Sequence, residues 1–401
     1  MEKTTTLAST KNEMVSTKYI PDDIAFSILS KLPIKSFKRF ESVRKSWSLL
    51  SENTHFMNMF RNDFINNPRR CCSYYNEASF LLSVLENNKK VLYYLFGERF
   101  KNKVKLDWFD SCEEHFRIFG FGSINGTLCI YDLSNDNHGN IELWNPTTQT
   151  SILPPPSLAV SLVESILDDD EDMDFDGIFY NLHGFGYDRV TKDYKVIRNV
   201  RFAQEYLEPL WEIYSLRSNM WRELHVDMPY SLDCINGTQV YMDGVCHWLC
   251  EEDSFEGSCL VSFYFSNEAF FTTPLPSELE HWFDDLAIWL NLAVLNGSIA
   301  LVSYHEETTN FHISILGEFG VKESWTKLFI VGPLSCVERP IGVGTKGEIF
   351  FIRKDEELVW LDLSTQMIEE VGYKANNPNC SIIVYKENIL PFGGKYSSSD
   401  I

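Results

Sequence analysis

The chain has 401 residues, of which 44% are hydrophobic, 14% aromatic and 23% charged, the composition of a globular protein with more than one domain. Its formal charge of −22 excludes a general nucleic-acid binder, which needs a basic footprint. No run approaches the roughly 18 consecutive apolar residues of a membrane span, and the polar start MEKTTTLASTKNEMVSTKY lacks a secretory signal's apolar core. The expectation is a soluble protein, cytoplasmic or nuclear and not secreted, with its ten scattered cysteines mostly buried thiols. The charge is uneven: residues 1–60 hold nine Lys/Arg and six Asp/Glu, which leaves −25 on the remainder.

In chain order, residues 1–18 read as a disordered tail, 19–60 as a small helical module, 61–77 as a linker, 78–392 as a β body and 393–401 as a second tail. In the module, Pro21 suits the first position of a helix, and Asp22 and Asp23 favour its positive end. Ile24, Ile28, Leu29 and Leu32 follow at helical spacing, and Pro33 stops the helix. A second helix from about Lys35 carries Phe37 and Phe40 towards Val43. Trp47 and Leu50 lie on a third segment, and HFMNMF (55–60) adds apolar surface. A unit of about 40 residues cannot cover so many large side chains with its own core. Residue pattern alone divides evenly between packing on the β body and docking of another protein.

The β body is built from recurring turns. Asn125-Gly126, Asp243-Gly244, Asn296-Gly297 and Lys346-Gly347 each precede an apolar run, the signal of a tight hairpin. A weaker hairpin is YDRVTKDYKVI (187–197). Exit hairpins recur at LWNPTTQTSILPPP, IYSLRSNMWREL, FYFSNEAFFTTPLP and WLDLSTQMIEE, with a divergent copy at 313–329. A repeat of about 50 residues with four short strands is the signature of a propeller blade. Counting 78–96 and 380–390 as two ends of one closing blade predicts six blades; a pair of β-sandwiches is the rival.

Several other motifs read as structure. The sequons at Asn125, Asn236 and Asn296 are hairpin turns, and CHWLC (246–250) lacks a second ligand pair for zinc. On a strand Cys246, Trp248 and Cys250 share one face, and His247 takes the other. DMDFDG (172–177) begins like a calcium loop, but His183 stands where the bidentate Glu belongs, so an acidic solvated insertion is expected. No GxSxG, HExxH or GxxxxGK[ST] occurs, and neither a cofactor nor a metal site is expected.

Residues 19–60 closely resemble the plant F-box: Ile20-Pro21-Asp22-Asp23-Ile24, then Ile28-Leu29-Ser30-Lys31-Leu32-Pro33-Ile34-Lys35-Ser36-Phe37, then Arg39-Phe40-Glu41-Ser42-Val43-Arg44-Lys45-Ser46-Trp47. Ser42 and Arg44 stand where family members often have cysteines. The rest looks like the plant F-box-associated domain, related to kelch-type propellers, on LWNPTTQ-x4-LPPP, GFGYDRVTKDYKVIR, WEIYSLRSNMWREL, YMDGVCHWL and SIIVYKENIL. Some members act in pollen recognition, a role that these residues do not specify.

The resemblance implies a small all-α F-box of three short helices followed by a mainly β, six-bladed kelch-like propeller. It implies a non-catalytic substrate receptor of a Skp–cullin–F-box ubiquitin ligase, with a Skp-type adaptor and, through it, cullin and RING subunits as partners. Docking would fall to Ile20, Pro21, Ile24, Ile28, Leu32, Pro33, Ile34, Val43 and Trp47, although Ile28 and Trp47 are also candidates for holding the module together. Lys35, Lys38, Arg39, Arg44 and Lys45 would favour an acidic partner surface. Open alternatives are a scaffold that binds the adaptor without degradation and a propeller enzyme with an F-box appendage. The target is not readable, but a −25 body points to a basic or mixed partner. The connections at 157–181 and 251–258 are candidates for carrying specificity.

Overall fold

Asn125, Asp243 and Asn296 adopt positive φ (49°, 52° and 46°), and so do the glycines that follow them (78°, 89° and 74°). Two successive left-handed residues form a turn whose twist matches that of the strands it joins, so each of these pairs reverses the chain tightly. Lys346-Gly347 differs. Only Gly347 is left-handed (φ 95°), and the Gly344 amide donates to the Glu348 carbonyl at 2.7 Å across a three-residue loop.

These features belong to a computed structural model that describes residues 20–66, 79–87, 89–106, 116–132, 140–169, 177–204, 206–228, 239–250, 258–279, 288–375 and 380–389. The chain divides into two compact units, Met1–Phe60 and Arg61–Ile401. The helical elements are α1 (Asp22–Leu29), α2 (Ile34–Glu41), the single turn α3 (Lys45–Ser48) and α4 (Thr54–Asn66). The 13-residue α4 goes beyond the three short helices expected. Its start is capped by Asn53, whose Oδ1 accepts the Phe56 amide at 2.9 Å.

The β unit contains six four-stranded antiparallel sheets, the six blades of a propeller. The first blade holds β1 (Ser79–Glu86), β2 (Lys89–Phe96) and β3 (Asn102–Lys105); the second holds β4 (Phe116–Ile118), β5 (Leu128–Asp132), β6 (Ile141–Asn145) and β7 (Thr150–Ile152). A helix, α5 (Leu158–Asp169), leads to the third: β8 (Ile178–Asp188), β9 (Asp193–Phe202), β10 (Leu210–Ser215) and β11 (Met220–Glu223). The fourth is β12 (Gln239–Met242), β13 (Val245–Cys250), β14 (Cys259–Tyr264) and β15 (Ala269–Pro274). The fifth is β16 (Ile288–Leu295), β17 (Ser298–His305), β18 (Asn310–Leu316) and β19 (Trp325–Val331). The sixth is β20 (Val337–Val343), β21 (Glu348–Arg353), β22 (Glu357–Asp362) and β23 (Ile368–Lys374). The last strand, β24 (Ser381–Tyr385), pairs with β1 from Ser79–Tyr385 to Ser83–Ser381. The first blade is thus completed by two strands about 300 residues apart in sequence, which ties the end of the chain to the start of the β unit.

Aromatic side chains fill the spaces between blades. Trp144, Trp248, Tyr214, Phe263 and Phe265 are all fully buried. On β13, Cys246, Trp248 and Cys250 join the core shared by the second, third and fourth blades, as strand alternation predicts. His247 points the other way and is also buried. It stacks on Phe319 at 5.3 Å, its Nδ1 lies 2.8 Å from Ser262 Oγ, and burial pushes its pKa down to about 3.

Candidate docking surface

In α1 the apolar residues divide between two faces four residues apart. Ala25 and Leu29 point inward and are buried, and Ile24 and Ile28 point outward. Helix α2 continues the inner face with Ile34 and Phe37. Aromatic rings from α4 complete this core: Phe56 stacks on Phe37 at 5.1 Å and meets the edge of Phe26 at 5.0 Å, while Phe60 lies 5.3 Å from Phe37. Because those rings fill the interior, the outward aliphatics have nothing to bury against within the unit. Ile20, Ile24, Ile28 and Val43 are 49–65% exposed.

An ion pair draws the two ends of this surface together. Arg44 Nη1 lies 3.1 Å from Asp22 Oδ1, which fixes the turn containing Val43 beside the start of α1 with Ile20, Pro21 and Ile24. Both groups are well exposed, so the pair contributes at most ~1 kcal/mol and acts mainly as a positional tie. Lys38 pairs with Glu41 at 3.2 Å. Two of the five basic residues expected to face an acidic partner therefore already engage carboxylates of their own unit. Arg39 and Lys45 are exposed, and the Lys35 side chain lies outside the described residues.

Of the nine residues named for docking, Ile20, Pro21, Ile24, Ile28, Pro33 and Val43 are exposed, Leu32 and Trp47 are half-buried, and Ile34 is buried at 4%. Ile28, one of the two candidates for internal packing, faces outward. Trp47, the other, sets its ring edge against Phe40 at 5.9 Å. Two further exposed apolar residues are Phe40, read from the sequence as part of the second helix and not among the nine, and Leu49, which was not named. Leu49 and Leu50 are consecutive, and only the fold decides that Leu50 turns inward and Leu49 outward.

Elsewhere, no group of three or more His, Cys, Asp or Glu is placed to hold a metal ion among the described residues. The DMDFDG stretch lies outside them except for Gly177, and so does the 251–258 connection except for Ser258. His183 belongs to β8, where its Nδ1 lies 2.7 Å from the Asn181 carbonyl. The described part of the 157–181 stretch, a candidate for carrying specificity, contains α5. No described helix is long and apolar enough to cross a membrane.

The sequence profile of the F-box associated beta propeller domain matches residues 100–390. F-box protein CPR1 of Arabidopsis thaliana is 25% identical over 387 residues, covering 88% of this chain and 84% of its own length. An F-box/kelch-repeat protein of Arabidopsis thaliana is 23% identical over 338 residues, covering 83% and 85%. Among solved structures, the β-propeller domain of the Trilobed protease from Pyrococcus furiosus covers 74% of this chain and 84% of that one. It does so at 10% identity and a TM-score of 0.32, a likeness too loose to bear on function.

Proposed function

Because this chain belongs to the F-box-associated β-propeller family, we propose that it is the substrate-recognition subunit of a Skp–cullin–F-box ubiquitin ligase. The helical unit docks on a Skp-type adaptor, which brings the cullin and RING subunits, and the propeller holds the target. The chain makes and breaks no bonds itself. It raises the local concentration of target lysines beside the conjugating enzyme.

The observation that carries this reading is the outward aliphatic surface of the helical unit. Burying a large aliphatic side chain completely yields roughly 1.5–3 kcal/mol, so a half-exposed one has about 1 kcal/mol left to gain. Association costs at least ~4 kcal/mol. Two or three such contacts would not hold a partner, whereas Ile20, Pro21, Ile24, Ile28 and Val43 with Phe40 and Leu49 can. The matching stretches of the F-box pattern run through all of these residues except Leu49, and the named relatives are F-box proteins.

Co-expression with a Skp-type adaptor tests the reading. The two chains are expected to co-elute, and deletion of residues 19–50 is expected to remove the adaptor while the propeller stays folded. A monodisperse full-length chain that ignores the adaptor overturns it.

A further inference from the structure

Ser42 stands where α2 ends. It follows Glu41 directly, it is exposed, and its hydroxyl donates to the Arg39 carbonyl at 2.8 Å. The Val43 amide donates to the Phe40 carbonyl at 3.0 Å and holds the same turn. An eight-residue helix opens most easily at such an end, because its last carbonyls lack donors from a following turn.

The charges around this serine are mostly positive. From 38 to 46 the chain carries Lys38, Arg39, Arg44 and Lys45 against one carboxylate, Glu41. Glu41 pairs with Lys38 at 3.2 Å, and Arg44 pairs across to Asp22 at 3.1 Å. Helix α1 adds a second exposed carboxylate, Asp23, while Arg39 and Lys45 both reach solvent. An arginine three residues before a serine, with further bases close by, is a charge pattern that the acidic cleft of a kinase can read. In this chain Arg-x-x-Ser occurs at Arg39–Ser42 and at Arg70–Ser73, and the second lies outside the described residues.

The neighbours of Ser42 give the position its consequence. Val43 follows it at 65% exposure and Phe40 precedes it at 38%, so the hydroxyl is flanked by two members of the outward apolar surface.

We propose that Ser42 is a phosphorylation site for a kinase that selects basic segments, and that its modification and adaptor docking exclude each other. Ser42 Oγ attacks the γ-phosphorus of ATP, the bond to the bridging oxygen breaks and ADP leaves. The hydroxyl proton passes to the catalytic base of the kinase. The product carries a charge of about −1.5 to −2 at pH 7. A partner that covers Val43 and Phe40 must then strip water from that charge. The phosphate also draws on Arg39 and Lys45, two of the cations that otherwise meet an acidic partner surface.

Exclusion works in the other direction too. A kinase binds its substrate as an extended strand, so Arg39–Ser42 must leave the last turn of α2. A partner seated on Val43 and Phe40 keeps that turn closed. The coupling is reciprocal, as linkage requires. This adds regulation to the docking reading above and rests on it.

The test uses the full chain carrying Ser73→Ala, with ATP and cAMP-dependent protein kinase as the probe. Mass spectrometry is expected to place phosphate on Ser42, and a saturating Skp-type adaptor to slow that reaction at least ~10-fold. The chain phosphorylated at Ser42 is expected to bind the adaptor at least ~10-fold more weakly in calorimetric titration, with helical circular dichroism unchanged. Ser42→Ala is expected to bind as the unmodified chain does, and to keep that affinity after kinase treatment. Absence of phosphate at Ser42, equal affinity of the phosphorylated chain, or weakening accompanied by loss of helical dichroism overturns the proposal and leaves the receptor reading standing. An unmodified chain that ignores the adaptor overturns the receptor reading and the exclusion with it, whereas phosphate at Ser42 is read independently of both.

Discussion

Arg198 on β9 and Glu212 on β10 stand directly opposite each other and form an ion pair with essentially no solvent exposure. The guanidinium lies 3.9 Å from the Trp221 ring and 4.4 Å from Tyr180. Glu212 also accepts the Ser157 hydroxyl at 2.9 and 3.0 Å, so one buried carboxylate neutralises the arginine and anchors α5. Burial lowers the Arg198 pKa, and the facing carboxylate opposes that shift.

Removing one member of such a pair leaves a buried charge without compensation. Glu212→Ala is expected to destabilise the propeller by ~3–5 kcal/mol, and to release amide protection in α5 under hydrogen exchange. Arg198→Met with Glu212→Leu should cost less than Glu212→Ala, because neither charge then remains to be solvated. Urea unfolding of all three chains checks the ordering.

For the helical unit, burial separates two kinds of isoleucine. Ile24→Asp with Ile28→Asp is expected to weaken adaptor binding ~10- to 100-fold while shifting the unit's stability by no more than about 0.5 kcal/mol per site. Ile34→Asp places a carboxylate in the core beside Phe37 and should instead unfold the unit, at a cost of several kcal/mol. Calorimetric titration with the adaptor, together with helical circular dichroism, distinguishes the two effects.

His247 predicts a pH dependence. Its folded pKa is pushed down to about 3 by burial, against an ordinary value of 6.5, so below pH ~6.5 the unfolded state takes up a proton that the folded state refuses. The stability contributed by the neutral ring is complete above pH ~6.5. It falls by roughly 1.4 kcal/mol per pH unit as the solution is acidified towards the folded pKa. His247→Gln should flatten this part of the stability profile between pH 6.5 and 4. An unchanged slope in that variant would refute the assignment.

Two glycines are needed for different reasons. Gly244 has φ 89° with nothing within 4 Å of an added Cβ, so Gly244→Ala should cost only backbone strain, ~1 kcal/mol. At Gly186 the added Cβ would come within 2.1 Å of the Phe265 ring, which is fully buried. Gly186→Ala should therefore cost about 3 kcal/mol or more, by overpacking. Denaturation midpoints in urea are expected to fall in that order.

Much of this architecture was legible because it is written in local signals. Asn125-Gly126, Asp243-Gly244 and Asn296-Gly297 marked their hairpins, and Pro33 marked the break between α1 and α2. Helix α5 was not legible. In LAVSLVESILDD the apolar residues do share one broad side, but the acidic run that follows them pointed to a solvated insertion. The Arg198–Glu212 pair was hidden for a related reason: a charged residue within a strand reads as solvent-facing until another element covers it.

By itself the sequence determined where the chain turns, how many blades it makes, where the F-box helices stop and how negative the β unit is. These follow from the φ preferences of single residues, from short-range periodicity and from summed charge. Only the tertiary structure decided that Ile34 turns inward while Ile24, Ile28 and Val43 stay outside, and that Arg198 and Glu212 meet in the interior. The physical reason is that burial and electrostatic potential depend on what remote parts of the chain place opposite a residue. Phe56 and Phe60 arrive from α4 to fill the helical core, and β24 returns to β1 to close the propeller.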